Sequence, residues 1–556
     1  MLKTLKKAKL GDLVPIYKSV RAPKDAVEYF ARISDYGRQQ NSILLESADI
    51  VPKYGRFSLG SADPCLRITG NQDEFEILAL NDTGKRFLKF IRDDFGFVRN
   101  KKITPSKISG KLRASAKSKQ SDEQERLKQR THADILRTIA FKFNPISKPF
   151  MAYGGLFGAI SYDFIDQFEK LPKNRDDITK DPDYEMYFLD NLFIIDHKKG
   201  KMNIIANALI TTDDEQKKKE ILKECQKKIS NYTKSVKKSL PKKGKFEKAE
   251  IKTSTDTSKE EYEAIVEKMK EHIVLGDIFQ VVPSRTIIST YNNEPLDIYT
   301  TLRALNPSPY MFYMNIKSGI LLGASPEMAL RVEGSGIKRD SEKTVEIRPI
   351  AGTKPRGFNT KGEIDPDADS RYETELKIDT KELAEHTMLV DLARNDIAKV
   401  SKPGTRVVNE PFVVEKYSHV QHLVSNVSGK LSDDLDALHA YLATMNMGTL
   451  TGAPKIEAMK LIRKSEKNKR GFYGGSVGYL TPSGDMDTTI VIRSMQIKGK
   501  KAYVRAGAGI VYDSVAPNEF METEKKTRSC LVAIENASKG KKKASKPSLK
   551  KRGGRK

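Results

Sequence analysis

The sequence predicts a mixed α/β protein in which helices cover a large, mainly antiparallel β-sheet. Two features of its 556 residues support this fold class. Short apolar runs joined by glycine turns fill the C-terminal half, as is typical of antiparallel strands. Helical patterns occur between these runs and would cover the sheet; the predicted helices span residues 371–393, 432–446 and 516–536.

The first 250 residues are predicted to form an N-terminal α/β region. A chain of this length is expected to hold roughly two to four domains. A basic, Ser- and Lys-rich insert at 101–130 interrupts the region, and a Lys-rich linker at 216–250 ends it. One helical stretch, GKRFLKFIRDDF, lies among strand-like runs that read NSILLES, RFSLGSADPCLRITG, EFEILAL, GGLFGAISYDFI, MYFLDNLFIID and KMNIIANALI.

Residues 255–538 are predicted to form the region that carries the chemistry. The region begins with an amphipathic helix, KEEYEAIVEKMKEHIVLGDI. The elements that follow are longer than those of the first 250 residues, and the motifs are more closely spaced. The strand-like runs are IFQVVPSRTII, YMFYMNI, GILLGASP, MALRVEG, GSVGYLT, DTTIVIRSMQI and KAYVRAGAGIVY.

The net charge of +26 is concentrated in three low-complexity stretches. Residues 101–130, 216–248 and 539–556 together hold 33 Lys or Arg and 6 Asp or Glu residues, so the rest of the chain is nearly neutral. Such runs are usually solvated or disordered. The tail at 539–556 is therefore predicted to be disordered, and no specific nucleic-acid partner is expected.

Cysteine usage and the lack of a targeting pattern predict a cytoplasmic protein. Cys65, Cys225 and Cys530 form no CxxC or zinc pattern, which suits a reducing compartment. The N-terminus lacks the apolar segment of a secretory signal. No apolar run is long enough to span a bilayer, so no membrane partner is expected.

Two pairs of glutamates are the most informative feature for function. Glu382 and Glu385 lie in DTKELAEHTMLVDLARND, and Glu519 and Glu522 lie in PNEFMETEKKT. Residues three apart on a helix project from one face, so each pair presents two carboxylates together. Two such helices facing each other would surround one Mg²⁺ ion, although ordinary solvated helix faces have the same spacing. The pattern favours a metal-dependent enzyme acting on a carboxylated small molecule.

Several other groups could hold an anionic substrate. Arg493 lies in TTIVIRS, which predicts a buried strand, and a buried arginine usually pairs with an anion. Lys526 follows Glu522 by one helical turn and supplies either a second positive charge or an ordinary Glu–Lys pair. Gly507 and Gly509 would let backbone N–H groups approach an anion, although most such glycine pairs are only turns.

Candidate acid–base groups come from three motifs. His386 and His422 are two of seven histidines, and a lone histidine is more often a core or surface residue than a catalyst. Glu327 in GASPEM follows a glycine-rich strand end, where a general acid could point into a cleft. Thr451 in LTGAPK can donate a hydroxyl; this loop lacks the GK[ST] ending of a phosphate loop, so ATP binding is not predicted.

As a set, these motifs resemble those of the chorismate-utilising enzymes, and among them the anthranilate synthase large subunits. The resemblance runs through about half of the chain. The matching segments are LLES (44–47), GDIFQVVPSR (276–285), NPSPYMFYM (306–314), GASPE (323–327), RPIAGTKPRG (348–357), ELKIDTKELAEHTMLVDLARND (375–396), HLVSNVSG (422–429), LTGAPK (450–455), FYGGSVGY (472–479), TTIVIRS (488–494), RAGAGIVYDS (505–514) and E-x-x-E-x-x-x-K (519–526).

The resemblance implies a layered fold with two stacked, mainly antiparallel sheets flanked by helices. It implies that the four glutamates hold Mg²⁺, which in turn holds the ring carboxylate of chorismate. Glu327 would protonate the departing C4 hydroxyl, and His422 and Thr451 would line the ring. The other implied substrate-binding residues are Gln280, Tyr473, Arg493, Gly507, Ala508, Gly509 and Lys526.

The implied reaction converts chorismate and ammonia to anthranilate and pyruvate through aminodeoxyisochorismate, in the first step of tryptophan biosynthesis. Isochorismate and salicylate synthases resemble one another in having a water-activating lysine where this chain has Gln280. Aminodeoxychorismate synthases typically have a nucleophilic lysine where this chain has Ala351. Both differences favour direct attack of ammonia at C2.

The resemblance also implies a protein partner. None of the three cysteines lies in a glycine-flanked nucleophile turn with a suitable histidine, so the chain has no candidate glutaminase. Ammonia from glutamine would need a separate glutamine amidotransferase subunit, component II, with which the family usually forms hetero-oligomers.

Feedback inhibition by L-tryptophan is implied as well. The segments LLES and NPSPYMFY would supply an apolar wall with polar ends, which suits an indole amino acid; packing between domains is the alternative. The implied regulatory residues are Glu46, Ser47, Pro307, Tyr310, Met311 and Phe312.

Two other functions stay open on sequence alone. One is a sister chorismate enzyme, which Gln280 and Ala351 argue against. The other is a catalytically silent regulator or a nucleic-acid-associated protein built on the same fold. The intact glutamates and the dispersed basic runs argue against it.

Overall fold

The computed structural model describes residues 7–47, 56–112, 123–246, 250–360, 362–417 and 420–538. The tail at 539–556, which the sequence predicts to be disordered, lies outside these ranges, as do parts of the basic insert and of the Lys-rich linker. The described parts correct the prediction, because Arg99–Thr104 and Lys107–Lys111 are strands and Glu215–Ser235 is a helix. Within the described ranges, no helix is long and apolar enough to cross a membrane.

Strands and helices contribute about equally to the regular structure. In chain order, the strands of the described residues are β1 (Asp12–Arg21), β2 (Ser42–Glu46), β3 (Phe57–Ser61), β4 (Leu66–Asn71), β5 (Glu74–Ala79), β6 (Arg99–Thr104), β7 (Lys107–Lys111), β8 (Asn144–Pro145), β9 (Gly155–Ile160), β10 (Tyr184–Leu189), β11 (Asn191–Asp196), β12 (Lys201–Leu209), β13 (Thr253–Thr255), β14 (Gln280–Val281), β15 (Ser284–Thr290), β16 (Tyr310–Ile316), β17 (Gly319–Ser325), β18 (Met328–Glu333), β19 (Thr344–Ile347), β20 (Ile350–Pro355), β21 (Val407–Lys416), β22 (Val420–Lys430), β23 (Gly452–Ala453), β24 (Ser476–Leu480), β25 (Met486–Ile490), β26 (Ser494–Lys498) and β27 (Lys501–Gly507).

Helices flank the strands along the whole described chain. They are α1 (Ala26–Ile33), α2 (Asp82–Ile91), α3 (Glu123–Leu127), α4 (Ala133–Ala140), α5 (Glu215–Ser235), α6 (Lys259–Val274), α7 (Pro295–Leu305), α8 (Pro366–Ile378), α9 (Thr380–Ala398), α10 (Ala437–Thr444), α11 (Gly448–Thr451), α12 (Lys455–Ser465) and α13 (Ala516–Ser538), with a short 3₁₀ helix at Tyr162–Gln167.

Two large sheets organise these elements. The first has the strand order β13-β15-β27-β26-β17-β16-β2-β3-β11-β12-β1-β8. The second has the order β20-β22-β19-β18-β25-β24-β9-β10-β4-β5-β7-β6, with β21 beside β22. Neighbouring strands run antiparallel except β1 and β8, which pair in parallel. The predicted fold class, a layered α/β protein with mainly antiparallel sheets, is confirmed.

Side-chain alternation along the strands of the first sheet explains the layers. In β16, Phe312 and Met314 pack into the core shared with the second sheet. Met311 and Tyr313 belong to a second core that includes α1, α5, α7 and α13. Because successive residues of a strand point to opposite faces, a continuous apolar run buries both faces of the sheet.

The predicted helices are present, with two corrections. The helix predicted over 432–446 is shorter, because α10 begins only after Asp436, whose side chain caps it, and ends at Thr444. The prediction of a single helix over 371–393 is wrong, because the chain breaks at Asp379 into α8 and α9. The Asp379 side chain accepts hydrogen bonds from the amides of Lys381 and Glu382, so it caps the start of α9. The helix predicted at 516–536 is α13.

Both large sheets combine strands from the two predicted regions. In the first sheet, β2 pairs with β16, and in the second, β9 pairs with β24. The domain boundary predicted near residue 250 stays a prediction. Each of the two sheets contains strands from before and after this residue.

Candidate active site

Two neighbouring crossovers between the sheets carry Glu327 and Arg493. The first crossover leads from β17 in the first sheet to β18 in the second, and it contains Glu327. The second leads back from β25 to β26, and it contains Arg493. Because β17 pairs with β26 and β18 pairs with β25, the crossovers lie side by side.

Backbone contacts fix the two crossovers to each other. The Ile490 amide and the Thr489 hydroxyl both donate to the Glu327 carbonyl, at 3.1 and 2.7 Å. The Ala324 amide donates to the Arg493 carbonyl at 3.1 Å. The prediction that Arg493 lies inside a buried strand is wrong: the strand ends at Ile490, and Arg493 lies in the crossover with a φ of 49°.

Glu327 is a buried carboxyl that keeps its proton at neutral pH. Burial raises the pKa of Glu327 to about 8, although the Thr449 hydroxyl and the Lys526 ammonium act to lower it. Desolvation disfavours the ionised form of a carboxyl. A neutral carboxylic acid at this position can therefore donate a proton.

Arg493 is a half-buried guanidinium that forms no hydrogen bond or ion pair with the residues that the structure describes. Burial lowers the pKa of Arg493, while Cys530, Tyr473 and Glu522 act to raise it. An arginine that has lost part of its hydration without gaining a carboxylate is suited to bind an anion.

The four glutamates of the two predicted pairs lie on α9 and α13 and influence one another across the gap between these helices. Burial raises the pKa of Glu382, and Glu385 raises it further. Burial likewise raises the pKa of Glu385 and of Glu519, and in both cases the Glu522 carboxylate adds to the effect. The carboxylates are therefore close enough to repel each other.

These carboxylates do not form a closed ligand set. Among the described residues, no group of three or more His, Cys, Asp or Glu side chains is close enough to hold a metal ion. The donor chemistry nevertheless fits Mg²⁺, because hard carboxylate oxygens that repel one another gain from a divalent cation. Mg²⁺ also tolerates water between itself and its protein ligands.

Gln280 and Lys526 connect the glutamates to the rest of the site. The Gln280 amide donates to the Glu385 carboxylate at 3.1 Å. The Lys526 ammonium bonds the Glu522 carboxylate at 2.6 Å and the Gly507 carbonyl at 2.9 Å. Lys526 also lowers the pKa of Glu327, so one ammonium influences both the Glu522 carboxylate and the buried Glu327 carboxyl.

The glycine turn at 507–509 packs tightly against its neighbours. A Cβ on Gly507 would lie 2.5 Å from the Pro283 carbonyl oxygen, and one on Gly509 would lie 2.9 Å from the Gln280 amide nitrogen. The Ala508 amide donates to the Tyr262 hydroxyl at 3.2 Å and to the Pro283 carbonyl at 3.3 Å. In this structure the Ala508 N–H is thus occupied by protein partners.

His422 lies on β22 as a neutral imidazole. Its Nδ1 is 3.0 Å from the Gly352 carbonyl and 3.0 Å from the Thr353 hydroxyl. Because a carbonyl can only accept, Nδ1 carries the proton and Nε2 is the basic nitrogen. Burial lowers the pKa of His422 to about 4, and the Arg493 guanidinium adds to this effect. His386 is instead fully buried, with Nε2 2.7 Å from the Ser425 hydroxyl.

Tyr473 and Thr451 are the remaining predicted site residues, and both are buried. The Arg470 and Arg505 guanidiniums are each 5.9 Å from the centre of the Tyr473 ring. Burial raises the pKa of Tyr473, and the two guanidiniums lower it. Thr451 ends α11, is fully buried, and has a hydroxyl without a hydrogen-bond partner among the described residues.

The residues predicted to bind tryptophan divide between two faces of the first sheet. Glu46 in β2 lies opposite Met311 in β16, and the Glu46 carboxylate accepts from the Tyr299 hydroxyl at 2.7 Å. Phe312 packs in the core between the sheets, and the Tyr310 hydroxyl donates to Asp487 of the second sheet at 3.0 Å. Ser47 follows β2 with its amide bonded to the Phe57 carbonyl, and Pro307 is half-buried ahead of β16.

Three residues of the site were missed by sequence reasoning. They are Thr449, which contacts the Glu327 carboxyl, Arg470, and Tyr162, whose ring lies 4.5 Å from the Arg470 guanidinium. Arg470 could have been found from its position three residues before Tyr473. Tyr162 comes from the N-terminal part, and no local pattern separates it from the other core tyrosines.

Comparison with known proteins assigns the class. The profile of the chorismate binding enzymes matches residues 98–532. This range includes both crossovers, the four glutamates of α9 and α13, and His422. Fold, site and family match together define a chorismate-binding enzyme.

Several similar proteins share one type of enzyme. Anthranilate synthase component 1 of Vibrio cholerae is 41% identical over 505 residues, covering 90% of this chain and 93% of the relative. The Escherichia coli protein of the same name is 41% identical over 503 residues, covering 90% and 93%. The crystal structure of anthranilate synthase component I from Streptococcus pneumoniae superposes with a TM-score of 0.65 at 29% identity, covering 87% of this chain and 93% of that chain. The chain belongs to the anthranilate synthase component 1 family and is an anthranilate synthase, which confirms the predicted family.

Proposed function

We propose that this enzyme converts chorismate and ammonia to anthranilate, pyruvate and water through aminodeoxyisochorismate, with Mg²⁺ as cofactor and tryptophan as feedback inhibitor. The observation that carries this proposal is the pair of crossovers. Two adjacent backbone segments carry a protonated carboxyl, Glu327, and an arginine without a carboxylate partner among the described residues, Arg493. Together these groups suit a substrate that has carboxylates and loses a hydroxyl.

Glu327 is proposed as the general acid. Hydroxide is a poor leaving group, so the C4 hydroxyl of chorismate must gain a proton as its C–O bond breaks. The raised pKa of Glu327, about 8, supports this role because the carboxyl still holds its proton at neutral pH. Ammonia attacks C2 and loses a proton, which gives aminodeoxyisochorismate and water.

Arg493, Tyr473 and Lys526 are proposed to bind the carboxylates of chorismate, with the backbone at Gly507 and Gly509 alongside. A guanidinium can donate two parallel hydrogen bonds to one carboxylate. The Tyr473 hydroxyl is made a better donor by the neighbouring Arg470 and Arg505, which lower the pKa of Tyr473 against the effect of burial. Holding both carboxylates fixes the ring relative to Glu327.

The four glutamates are proposed to hold Mg²⁺, directly or through water. When bound, the ion would hold the ring carboxylate and neutralise negative charge on the substrate. The mutual repulsion of Glu382, Glu385, Glu519 and Glu522 supports this assignment. Gln280 orients the Glu385 carboxylate through their 3.1 Å hydrogen bond.

His422 is proposed to assist the second half of the reaction, in which pyruvate leaves and the ring becomes aromatic. That step removes a proton from the ring at C2. The basic Nε2 of His422 suits a proton acceptor, because Nδ1 is bound to the Gly352 carbonyl. The low pKa of His422, about 4, keeps the imidazole neutral at the pH of catalysis.

Ammonia is proposed to come from a separate glutamine amidotransferase subunit. A glutaminase needs a reachable thiolate, whereas Cys65, Cys225 and Cys530 are all buried. Burial also raises the pKa of Cys225 and Cys530 to about 12, so neither forms a thiolate at neutral pH. High concentrations of ammonium should replace the partner in solution.

Tryptophan is proposed to bind beside Glu46 and Met311. A buried carboxylate next to an apolar side chain suits an amino acid with an indole ring. Inhibition requires tryptophan to favour a state that binds chorismate poorly, and chorismate then weakens tryptophan binding by the same factor.

The direct test is anthranilate fluorescence from the purified protein. Chorismate, MgCl₂ and ammonium chloride at mildly alkaline pH should give a signal that disappears with EDTA and falls with tryptophan. Isochorismate or aminodeoxychorismate in place of anthranilate would overturn the proposed reaction. Turnover that persists in EDTA would overturn the Mg²⁺ assignment, and turnover insensitive to tryptophan would overturn the regulatory one.

A further inference from the structure

Tyr162 enters the candidate site from the N-terminal part of the chain. It begins the 3₁₀ helix that follows β9, and the Ser161 side chain caps this helix by accepting from the Asp163 amide at 3.0 Å. The Tyr162 amide donates to the Gly471 carbonyl at 2.9 Å. This bond places Tyr162 beside the turn that leads to Tyr473.

The ring of Tyr162 is held on both sides. The Arg470 guanidinium lies 4.5 Å from the ring centre, and a Cβ on Gly474 would lie 3.1 Å from a ring carbon. Arg470 also donates to the Leu450 carbonyl at 2.6 Å. One guanidinium therefore holds Tyr162 and the backbone just before Thr451 together.

The hydroxyls of Tyr162 and Thr451 have no hydrogen-bond partners among the described residues, although both side chains are fully buried. A Cβ on Gly474 would lie 3.1 Å from the Tyr162 ring and 3.7 Å from the Leu450 Cβ, so the ring lies close to the residue that precedes Thr451. Buried hydroxyls without partners carry a free-energy cost, which makes such an arrangement a candidate for a functional role.

We infer that Tyr162 is a positioning residue that acts through Thr451: when chorismate is bound, the Tyr162 hydroxyl bonds the Thr451 hydroxyl and orients it toward the substrate. The inference rests on the proposed function, in which Thr451 lines the substrate ring. Arg470 holds the two side chains in position relative to each other, because it contacts the Tyr162 ring and donates to the Leu450 carbonyl next to Thr451. Tyr162 itself does not contact the substrate.

The test is a double-mutant cycle on Tyr162→Phe and Thr451→Val. Each change removes one hydroxyl and keeps the shape of the side chain. We expect each single variant to raise the KM and the dissociation constant for chorismate by about tenfold, which is the loss of roughly one hydrogen bond. The double variant should be no weaker than either single variant, because the two hydroxyls act as one unit.

Chorismate binding is measured by calorimetry without ammonia, and KM and kcat by anthranilate fluorescence with saturating ammonium and Mg²⁺. Tyr153→Phe is the matched control. Tyr153 is also fully buried with a hydroxyl that lacks a partner among the described residues, but it precedes β9 whereas Tyr162 follows it. Tyr153→Phe should leave chorismate affinity unchanged.

Three results would overturn the inference: unchanged affinity in Tyr162→Phe, additive losses in the double variant, or an equal loss in Tyr153→Phe. A purely structural role would lower the Tm of Tyr162→Phe without a specific change in KM. If the wild-type protein makes no anthranilate, the proposed function fails instead. An active wild type with an unaffected Tyr162→Phe variant refutes the inference alone.

Discussion

At the scale of single residues, the site depends on two side chains in unfavourable states. Glu327 retains a proton that an exposed glutamate would lose, and Arg493 keeps a charge without a carboxylate partner among the described residues. Both conditions result from burial at the crossovers. Each side chain is therefore poised for a substrate group, and each has a measurable effect on stability or activity.

Glu327→Gln should abolish turnover without destabilising the protein. An amide cannot protonate the leaving hydroxyl, so kcat should fall by about 10²- to 10⁴-fold. In the wild type, the folded pKa of about 8 exceeds the unfolded value of 4.5, so this group's contribution to stability falls as pH rises from 4.5 to 8. The variant should lack that decline and have an equal or higher Tm at pH 8. An active variant would contradict the assigned role.

The same carboxyl sets a limit on the pH range of activity. Because the acid must be protonated, wild-type kcat/KM for chorismate should fall as pH rises through about 8. The measurement is the pH–rate profile at saturating Mg²⁺ and a fixed concentration of free ammonia. A profile that rises steadily to pH 9.5 under these conditions would exclude Glu327 as the proton donor.

Arg493→Met should weaken chorismate binding while preserving stability. Losing a charged hydrogen-bond partner should raise KM by about 10- to 100-fold. The Tm should hold or rise, because an unpaired, partly desolvated charge is removed. Arg331→Met is the contrasting variant: Arg331 pairs with Asp487 at 3.1 Å, so its loss should destabilise the fold by about 3 kcal/mol. A large drop in Tm for Arg493→Met would show that its role is structural.

At the scale of elements, α9 and α13 bring like charges together. Glu382, Glu385 and Glu519 each have a pKa raised by burial, with a further increase from a neighbouring glutamate. Repulsion of this kind destabilises the protein above the unfolded pKa of 4.5 unless a cation is present.

Mg²⁺ should therefore raise the Tm of the wild type at neutral pH, because it binds only the folded arrangement. Glu385→Gln and Glu519→Gln should reduce this gain and should be more stable than the wild type in EDTA. Glu373→Gln on α8 is the control, because Glu373 pairs with Lys377 and Lys416, which lower its pKa. NaCl at matched ionic strength separates specific binding from screening. No Tm difference between MgCl₂ and NaCl would argue against a metal site.

Local patterns predicted most elements but not where they end. The helix at α13 follows from its spacing, whereas Asp379 divides the predicted 371–393 helix because its side chain caps a new start. Arg493 reads as part of a strand, since the residues around it are apolar. Its crossover becomes visible only when the two sheets are known, because local sequence does not show which sheet the next strand will join.

At the scale of the whole molecule, most of the net positive charge lies in sequence stretches that contain no residue assigned to the site. The tail at 539–556 adds 10 Lys or Arg and no acidic residue. Removing it should leave kcat, KM and Tm unchanged, because no residue assigned to the site lies beyond Lys526. The measurement is anthranilate fluorescence and thermal unfolding of a chain ending at Ser538. A loss of turnover greater than about twofold would give the tail a catalytic role.

The residues of the site were predicted from motifs, and their catalytic roles stay predictions. Motif resemblance pointed to the glutamates, Glu327 and His422; the structure puts the glutamates on α9 and α13, Glu327 in a crossover and His422 on β22. It did not point to Tyr162, because contacts between distant parts of the chain leave no local pattern. Nor did it place Tyr310 and Phe312 on the opposite side of β16 from Met311, although the two-residue repeat of a strand requires this.

The interleaving of the two halves has a consequence for how the protein is made. During synthesis, β2 and β9 leave the ribosome long before their neighbours β16 and β24 exist. Strand edges that wait for a partner can pair with other chains, and contacts between residues far apart in sequence form slowly. The nascent chain thus has a long window in which it can aggregate. Slower expression at low temperature, or co-expression of a chaperone that shields open edges, should increase the fraction of soluble protein.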